Sequence, residues 1–236
     1  MPERPSGFFI PAFSEGYFGP PDTPRLRDLL AHAAAWSPLA SEAAVELVAK
    51  AFADVDPAFP RHVCLRGMLH ASLADAIHGD LERAPFRRHH HGPYPLHVAP
   101  LDHLQPGALA SFCAWLQSPE AADFHAAVVG WAQPLRTRQV QVSRMQVGEF
   151  FPPHVDTQAS GLAVIYNFSR DWDPSHGGAL AFPHPASPGM DGIVVPALFN
   201  SCFIFHTTGA IHRVTPIQPE SGGRSRYSVT AFMLGA

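Results

Sequence analysis

Apolar residues are spaced differently in the two halves of the chain. In residues 41–52, Ala44, Val45, Leu47, Val48 and Phe52 recur with a period near 3.6, which lays one apolar stripe along a helix. Thr23-Pro24 ahead of residues 25–36 has the form of a helix start, a capping hydroxyl followed by proline in the first turn. Residues 68–83 and 106–117 extend the helical reading, and Ser118-Pro119-Glu120 opens a further helix running to Trp131.

Beyond residue 138 the apolar runs shorten. Residues 139–147, 162–168, 179–182, 192–195, 201–205 and 227–234 are apolar or alternating, and each is bounded by Gly, Pro, Asn or Asp, as strands are. Gly177-Gly178 falls where the chain must turn before one of them. Many short strands without intervening helices predict a barrel or sandwich. The expected architecture is α+β, one domain over residues 1–236. Residues 1–135 form mainly helical support and substrate-side elements, and residues 136–236 form a β-core that carries the functional residues.

Composition narrows the class. Hydrophobic residues at 46% and charged residues at 15% belong to a folded globular chain. Lys and Arg number 16 against 20 Asp and Glu, a net charge of −4, so bulk charge draws the chain neither to nucleic acid nor to an anionic membrane. Cys64, Cys113 and Cys202 are widely spaced, odd in number and free of any CxxC, which indicates small apolar residues in a reducing compartment rather than disulfides or a thiolate zinc site. No stretch reaches the roughly 18 apolar residues of a membrane span, and the first ten residues lack a signal-peptide core. The expectation is a soluble cytoplasmic protein. The 25 prolines, about twice the usual share, break the chain into short elements.

The sharpest local feature is Pro152-Pro153-His154-Val155-Asp156. On an extended segment alternate side chains share a face, so His154 and Asp156 point the same way. His212, in Ile211-His212-Arg213-Val214, offers a third ligand. Two histidines and one carboxylate, with open positions left over, make the facial triad of non-haem iron(II) oxygenases. An isolated HxD is also what a hydrogen-bonded surface pair looks like, so the rest of the series matters. In Arg226-Tyr227-Ser228-Val229-Thr230 an arginine and a serine share one face of the last strand. A guanidinium matches a carboxylate bidentately, so Arg226 with the Ser228 hydroxyl could anchor a dicarboxylate whose other end reaches the metal.

From Gln139 to the C-terminus the sequence resembles the prolyl-4-hydroxylase-like branch of the 2-oxoglutarate/iron(II) dioxygenases. The residues that carry the resemblance are His154-Val-Asp156, Ile165-Tyr166-Asn167-Phe168, Asp171-Trp172, Gly177-Gly178-Ala-Leu180, Phe203-Ile-Phe205, His212-Arg-Val214-Thr-Pro216 and Arg226-Tyr-Ser228-Val-Thr230, in the family's order. Residues 115–131 are similar to the helical segment that precedes the core in ribosomal and hypoxia-type prolyl hydroxylases. The resemblance implies a double-stranded β-helix (a jelly-roll or cupin-like barrel) with Fe(II) on His154, Asp156 and His212. It also implies that Arg226 binds the distal carboxylate of 2-oxoglutarate, helped by Ser228 or Tyr166. O2 is the second cosubstrate, succinate and CO2 are the co-products, and ascorbate is a stimulant. Many relatives carry a tyrosine on the strand before HxD. Here that stretch reads Arg144-Met145-Gln146-Val147-Gly148, and Gln146 or Arg144 is the expected replacement.

The remaining histidines read as structural or rim residues. His206 competes with His212 as third ligand, but Val214 and Pro216 after His212 fit the family pattern. His89-His90-His91 cannot all face one ion on a regular element and reads as a solvated or substrate-rim loop. His176 and His184 read as loop histidines. Trp172, Phe150 and Phe151 could line a substrate cleft or fill the barrel core.

Asp156 also bears on the reaction, because halogenases of this superfamily typically lose that carboxylate, so its presence favours hydroxylation. Nucleobase demethylases typically carry a second arginine six residues after the one matching Arg226, and Phe232 stands there. The expected substrate is a prolyl or other side chain of a protein or peptide. The alternatives are a free amino acid or peptide-like natural product, or, in another class, a non-catalytic metal-binding β-barrel.

Overall fold

A computed structural model of the chain describes residues 60, 62–91, 94–156, 159–184 and 187–235. The helices expected over residues 25–36 and 41–52 lie outside them. The described helices are α1 (Ala71–Arg83), α2 (Ala108–Leu116) and α3 (Pro119–Val128). They start two or three residues later than expected, or end before the anticipated Trp131. The α3 start follows its sequence signal: the Ser118 hydroxyl accepts from Ala121 N–H at 3.3 Å, and Pro119 occupies the first turn.

Besides three short 3-10 turns the described chain has eleven strands: β1 (His62–Arg66), β2 (Arg87–His91), β3 (Tyr94–Ala99), β4 (Leu135–Met145), β5 (Phe151–His154), β6 (Gly161–Asn167), β7 (Leu180–His184), β8 (Ser187–Val195), β9 (Ser201–His206), β10 (His212–Val214) and β11 (Arg226–Gly235). The major sheet has the order β1-β9-β6-β11-β4-β3-β2 and the minor sheet β5-β10-β7-β8, with antiparallel pairing throughout. The two sheets face one another as a double-stranded β-helix. Three strands, β1, β2 and β3, precede residue 135, so the helical reading of the first half was incomplete. His89-His90-His91 lies on β2 rather than in a loop. The β2 segment is charged and β3 carries a proline, so neither has the alternating apolar run that marks a half-buried strand.

β6 and β9 are buried at every position, because the major sheet is covered on both faces. On one face Leu162, Val164, Tyr166, Cys202 and Ile204 pack against the helices through Phe112 and Phe124. On the other, Ala163, Ile165, Phe203 and Phe205 meet Leu180 and Phe182 of the minor sheet. Each fully buried phenylalanine contributes roughly 1.5–3 kcal/mol. The period-2 alternation along β6 therefore decides which residues see the helices and which see the space between the sheets.

His125 belongs to the helical side. Its Nδ1 meets the Ala121 carbonyl at 2.6 Å, which can only accept, so Nδ1 carries the proton and Nε2 accepts from the Tyr166 hydroxyl at 2.7 Å. Burial pushes the His125 pKa down to about 4. The folded state thus holds this imidazole neutral, while the unfolded chain protonates it below its ordinary value near 6.5. Its contribution to stability is complete above pH 6.5 and lost as the pH falls towards 4, at roughly 1.4 kcal/mol per unit. Urea unfolding at pH 7 and pH 5 is expected to show this loss, and His125→Gln to flatten it. An identical slope in the variant would contradict the assignment.

Candidate metal and dicarboxylate site

β5 and β10 are antiparallel neighbours in the minor sheet, and His154 and His212 are directly paired across them. Their ring centroids lie 4.4 Å apart. Asp156, two residues past His154, follows the strand end and points into the same space. Its Oδ1 lies 3.3 Å from His154 Nε2 and its Oδ2 3.5 Å from His212 Nε2. These separations approach the ~3 Å between adjacent ligands on an ion with bonds of about 2.1 Å. The ligand atoms of the three residues lie within 4.8 Å of one another, and no other such group of His, Cys, Asp or Glu occurs among the described residues.

The backbone fixes the tautomers. His154 Nδ1 donates to the Pro152 carbonyl and His212 Nδ1 to the Ala210 carbonyl, each at 2.8 Å. Both Nε2 atoms therefore face Asp156, in the orientation that metal-ligating histidines adopt through an outer hydrogen bond. Burial opposes ionisation of Asp156, yet the two imidazoles outweigh it and hold the carboxyl well below the usual range. Burial likewise lowers His154, but contact with Asp156 and the Pro152 carbonyl wins and raises it. A cation and protons thus compete for the same three groups. The donor set fits a divalent ion. The rings of Phe205 and Phe182 stand 4.9 and 5.7 Å from His212 and form an apolar backing.

Between the sheets lies a cavity of about 600 Å³ lined by the triad on one wall and by β11 and β4 on the other. Arg226, Ser228, Thr230 and Phe232 alternate along β11 into it. Arg226 is 5% exposed, and burial lowers its pKa to about 10, so it stays charged at neutral pH. Its partners are neutral: Ser228 Oγ at 3.1 Å, Asn167 Oδ1 at 3.4 Å and Met145 Sδ at 3.9 Å. Arg226 Nε has no partner among the described residues. The Ser228 hydroxyl meets Ser143 Oγ at 2.8 Å across the β4–β11 pair.

The structure brings His154, Asp156, His212, Arg226 and Ser228 to one cavity. It does not bring Tyr166 there. Tyr166 lies on the helical face of β6, its hydroxyl donating to His125, one residue out of phase with the cavity-facing Ile165. Asn167, on the correct phase, is the residue from that motif that reaches Arg226. The expected stand-ins for the family tyrosine are also displaced. The Arg144 guanidinium lies over the Phe86 ring, 4.9 Å from its centroid, while Ser143 and Met145 face the cavity. Ser143 and Asn167 were missed because their roles depend on strand register. His206 lies outside the cavity lining, its ring 5.5 Å from that of Trp131. Trp172 is buried, donating to the Gly177 carbonyl at 2.9 Å, and Phe151 lines the cavity.

Gly177-Gly178 has a direct physical role. Both glycines have positive φ, 71° and 65°. A Cβ on Gly178 would lie 2.7 Å from Arg226 Cδ. Gly178→Ala is expected to destabilise the fold by about 1–3 kcal/mol and to displace the guanidinium, which weakens 2-oxoglutarate binding if Arg226 holds the distal carboxylate as the sequence resemblance implies. Calorimetric titration with 2-oxoglutarate checks this, and unchanged affinity would refute it.

Residues 140–234 match the 2OG-Fe(II) oxygenase superfamily. That match spans about two-fifths of the chain, the part that carries the triad, Arg226 and Ser228. No curated protein matches it in sequence. Among solved structures, a Pseudomonas putida prolyl-4-hydroxylase is similar with a TM-score of 0.59 at 16% identity, covering 80% of this chain and 99% of that one. The epimerase SnoN from nogalamycin biosynthesis, in complex with Fe3+, alpha ketoglutarate and nogalamycin RO, gives 0.60 at 17%, covering 83% and 85%. A Trichoplax adhaerens prolyl hydroxylase in complex with a hypoxia inducible factor peptide fragment gives 0.57 at 13%, covering 74% and 83%. These likenesses establish the double-stranded β-helix fold. No described helix is long and apolar enough to cross a membrane.

Proposed function

We propose that the chain is an iron(II)- and 2-oxoglutarate-dependent oxygenase that hydroxylates a side chain of a protein or peptide, with proline as the residue oxidised and succinate and CO2 as co-products. One observation carries the cosubstrate assignment: a buried guanidinium, Arg226, without a carboxylate partner among the described residues, lines the cavity whose opposite wall holds His154, Asp156 and His212. A buried cation is stable when an anion meets it, and a dicarboxylate that also reaches the metal supplies that anion.

In this reading His154, Asp156 and His212 hold the iron, and Arg226 with Ser228 receives the distal carboxylate of 2-oxoglutarate. Bound iron supplies the activation of O2, coupled to decarboxylation of 2-oxoglutarate, that puts one oxygen atom into a C–H bond. The chain does the positioning. The Pro152 and Ala210 carbonyls hold both imidazoles with Nε2 inward. Asp156 stays ionised and offsets part of the metal charge. Ser143 fixes the Ser228 hydroxyl beside Arg226, and the Phe182 and Phe205 rings keep water from the back of His212. The sequence resemblance and the prolyl hydroxylase neighbours, one of them holding a peptide, support a prolyl peptide as substrate.

Incubation with Fe(II), ascorbate, 2-oxoglutarate and proline-containing peptides is expected to yield succinate and a peptide heavier by one oxygen atom, read by mass spectrometry. No succinate above background with any substrate pool, together with tight stoichiometric zinc, would instead identify a non-catalytic metal-binding barrel.

A further inference from the structure

Outside the triad and Arg226, positive charge gathers at the mouth of the cavity. The β4–β11 register shifts between Phe232 and Met233: Phe232 pairs with Gln139 and Met233 with Thr137, which leaves Arg138 as an extra residue. Such a bulge lets two consecutive residues face one side. Arg138 and Gln139 both line the cavity, and both are exposed. Arg138 sits beside the level of Phe232, six residues along β11 from Arg226, about 20 Å at ~3.3 Å per residue. Arg226, which lines the metal end of the cavity, and Arg138 thus stand at opposite ends of the same strand pair. Arg138 is exposed and pairs with no carboxylate among the described residues, which leaves it available to a second molecule.

A second cavity, of about 450 Å³, adjoins the first and shares His89, Gln139 and Gln141 with it. It adds Arg87 and Arg88 of β2, both exposed. Among the described residues lining the two cavities the sole carboxylate is Asp156, which lies between the two histidines. No described carboxylate pairs with Arg87, Arg88 or Arg138. The neighbouring acid, Asp102, faces His103 Nε2 at 3.7 Å. In a chain of net charge −4 this is a local reversal of sign.

The backbone beside these arginines also lacks a strand neighbour among the described residues. β3 pairs with β4 only from His97 to Ala99, against Arg144 to Val142. From Gln141 back to Leu135, β4 has β11 on one side and no described strand on the other. The second cavity runs along that edge, lined by Gln139, Val140 and Gln141. An unpaired strand edge accepts an extended peptide through main-chain hydrogen bonds.

We propose that the substrate is an acidic peptide. It lies extended along the β4 edge that no described strand pairs, and Arg138, Arg87 and Arg88 receive carboxylate side chains flanking the residue that enters the metal cavity. This rests on the hydroxylase reading and names its substrate class. The three arginines select among substrates and take no part in the oxygen chemistry.

Fluorescent proline-centred peptides identical except for flanking Glu, Gln or Lys residues, titrated by polarisation against the Mn(II)- and 2-oxoglutarate-loaded protein, test it. The Glu peptide is expected to bind about tenfold tighter than the Gln peptide, the sum of several exposed charge pairs, and to weaken with salt. The triple variant R87Q/R88Q/R138Q should bind Glu and Gln peptides alike. R138E should shift preference towards the Lys peptide, a gain that misfolding cannot mimic. Equal binding of Glu and Gln peptides by the unsubstituted protein, an intact preference in the triple variant, or no binding of any peptide would overturn the proposal. Succinate release from 2-oxoglutarate by the Fe(II)-loaded protein with the bound peptide present reports the oxygenase reading separately. Charge preference without succinate release would leave the acidic-peptide groove standing and remove the hydroxylase.

Discussion

His212→Ala and Asp156→Ala are each expected to lower Fe(II) affinity by more than about a hundredfold and to abolish 2-oxoglutarate turnover. Removing an outer partner of a metal ligand already costs ten- to a hundredfold, and removing the ligand itself costs more. The two variants fail differently. Without His212, Asp156 loses one of the two imidazoles that hold its carboxyl ionised, at 3.5 Å, and the cavity wall keeps only the β5 half of the donor set. Without Asp156, two neutral imidazoles with centroids 4.4 Å apart face each other and no anionic ligand remains to offset a divalent charge. His206→Ala is the control, because His206 faces Trp131 outside the cavity. Its iron affinity should match that of the unsubstituted protein. Mn(II) titration followed by spin resonance reads all three. Undiminished binding in His212→Ala would remove His212 from the site, and lost binding in His206→Ala would restore the rival third ligand.

The core of the site was legible in the sequence because it obeys short-range rules. His154 and Asp156 are two positions apart on extended chain, and Arg226 and Ser228 likewise, so one alternation puts each pair on one face. What the sequence did not carry was register and sheet order. The neighbour of Ser228 is Ser143 because β4 lies beside β11 with that particular offset, 85 residues away in the chain. Tyr166 lies a single step out of phase with the cavity: in β6 every side chain is buried, so hydropathy gives no hint which phase faces the helices and which the cavity. β2 escaped notice for the opposite reason. Its Arg-Arg-His-His-His sequence has no apolar face, and it is a strand because β3 offers it a hydrogen-bonding edge. The bulge at Arg138 is equally silent, since no glycine or proline marks it.

Arg226→Met is expected to raise the 2-oxoglutarate requirement by two to three orders of magnitude while leaving the ligand-free protein as stable as before, or more so. The first half follows from pairing. Truncating one partner of a buried charged hydrogen bond costs roughly 2–5 kcal/mol, a factor of about 30 to several thousand. The second half follows from what surrounds the guanidinium without its anion. Ser228, Asn167 and Met145 give it dipoles and a thioether but no charge, and burial alone depresses its pKa to about 10. A buried cation so placed is a cost to the fold, and replacing it with an apolar side chain of similar length is often neutral or stabilising. Opposed changes in function and stability at one residue mark a group kept for a ligand. Thermal unfolding of both proteins with and without 2-oxoglutarate separates the two halves. In the unsubstituted protein the ligand should raise the melting temperature through binding to the native state, and in Arg226→Met that rise should vanish. A variant that melts well below its parent and still responds to 2-oxoglutarate would show that Arg226 serves the fold, and the dicarboxylate would then need another anchor.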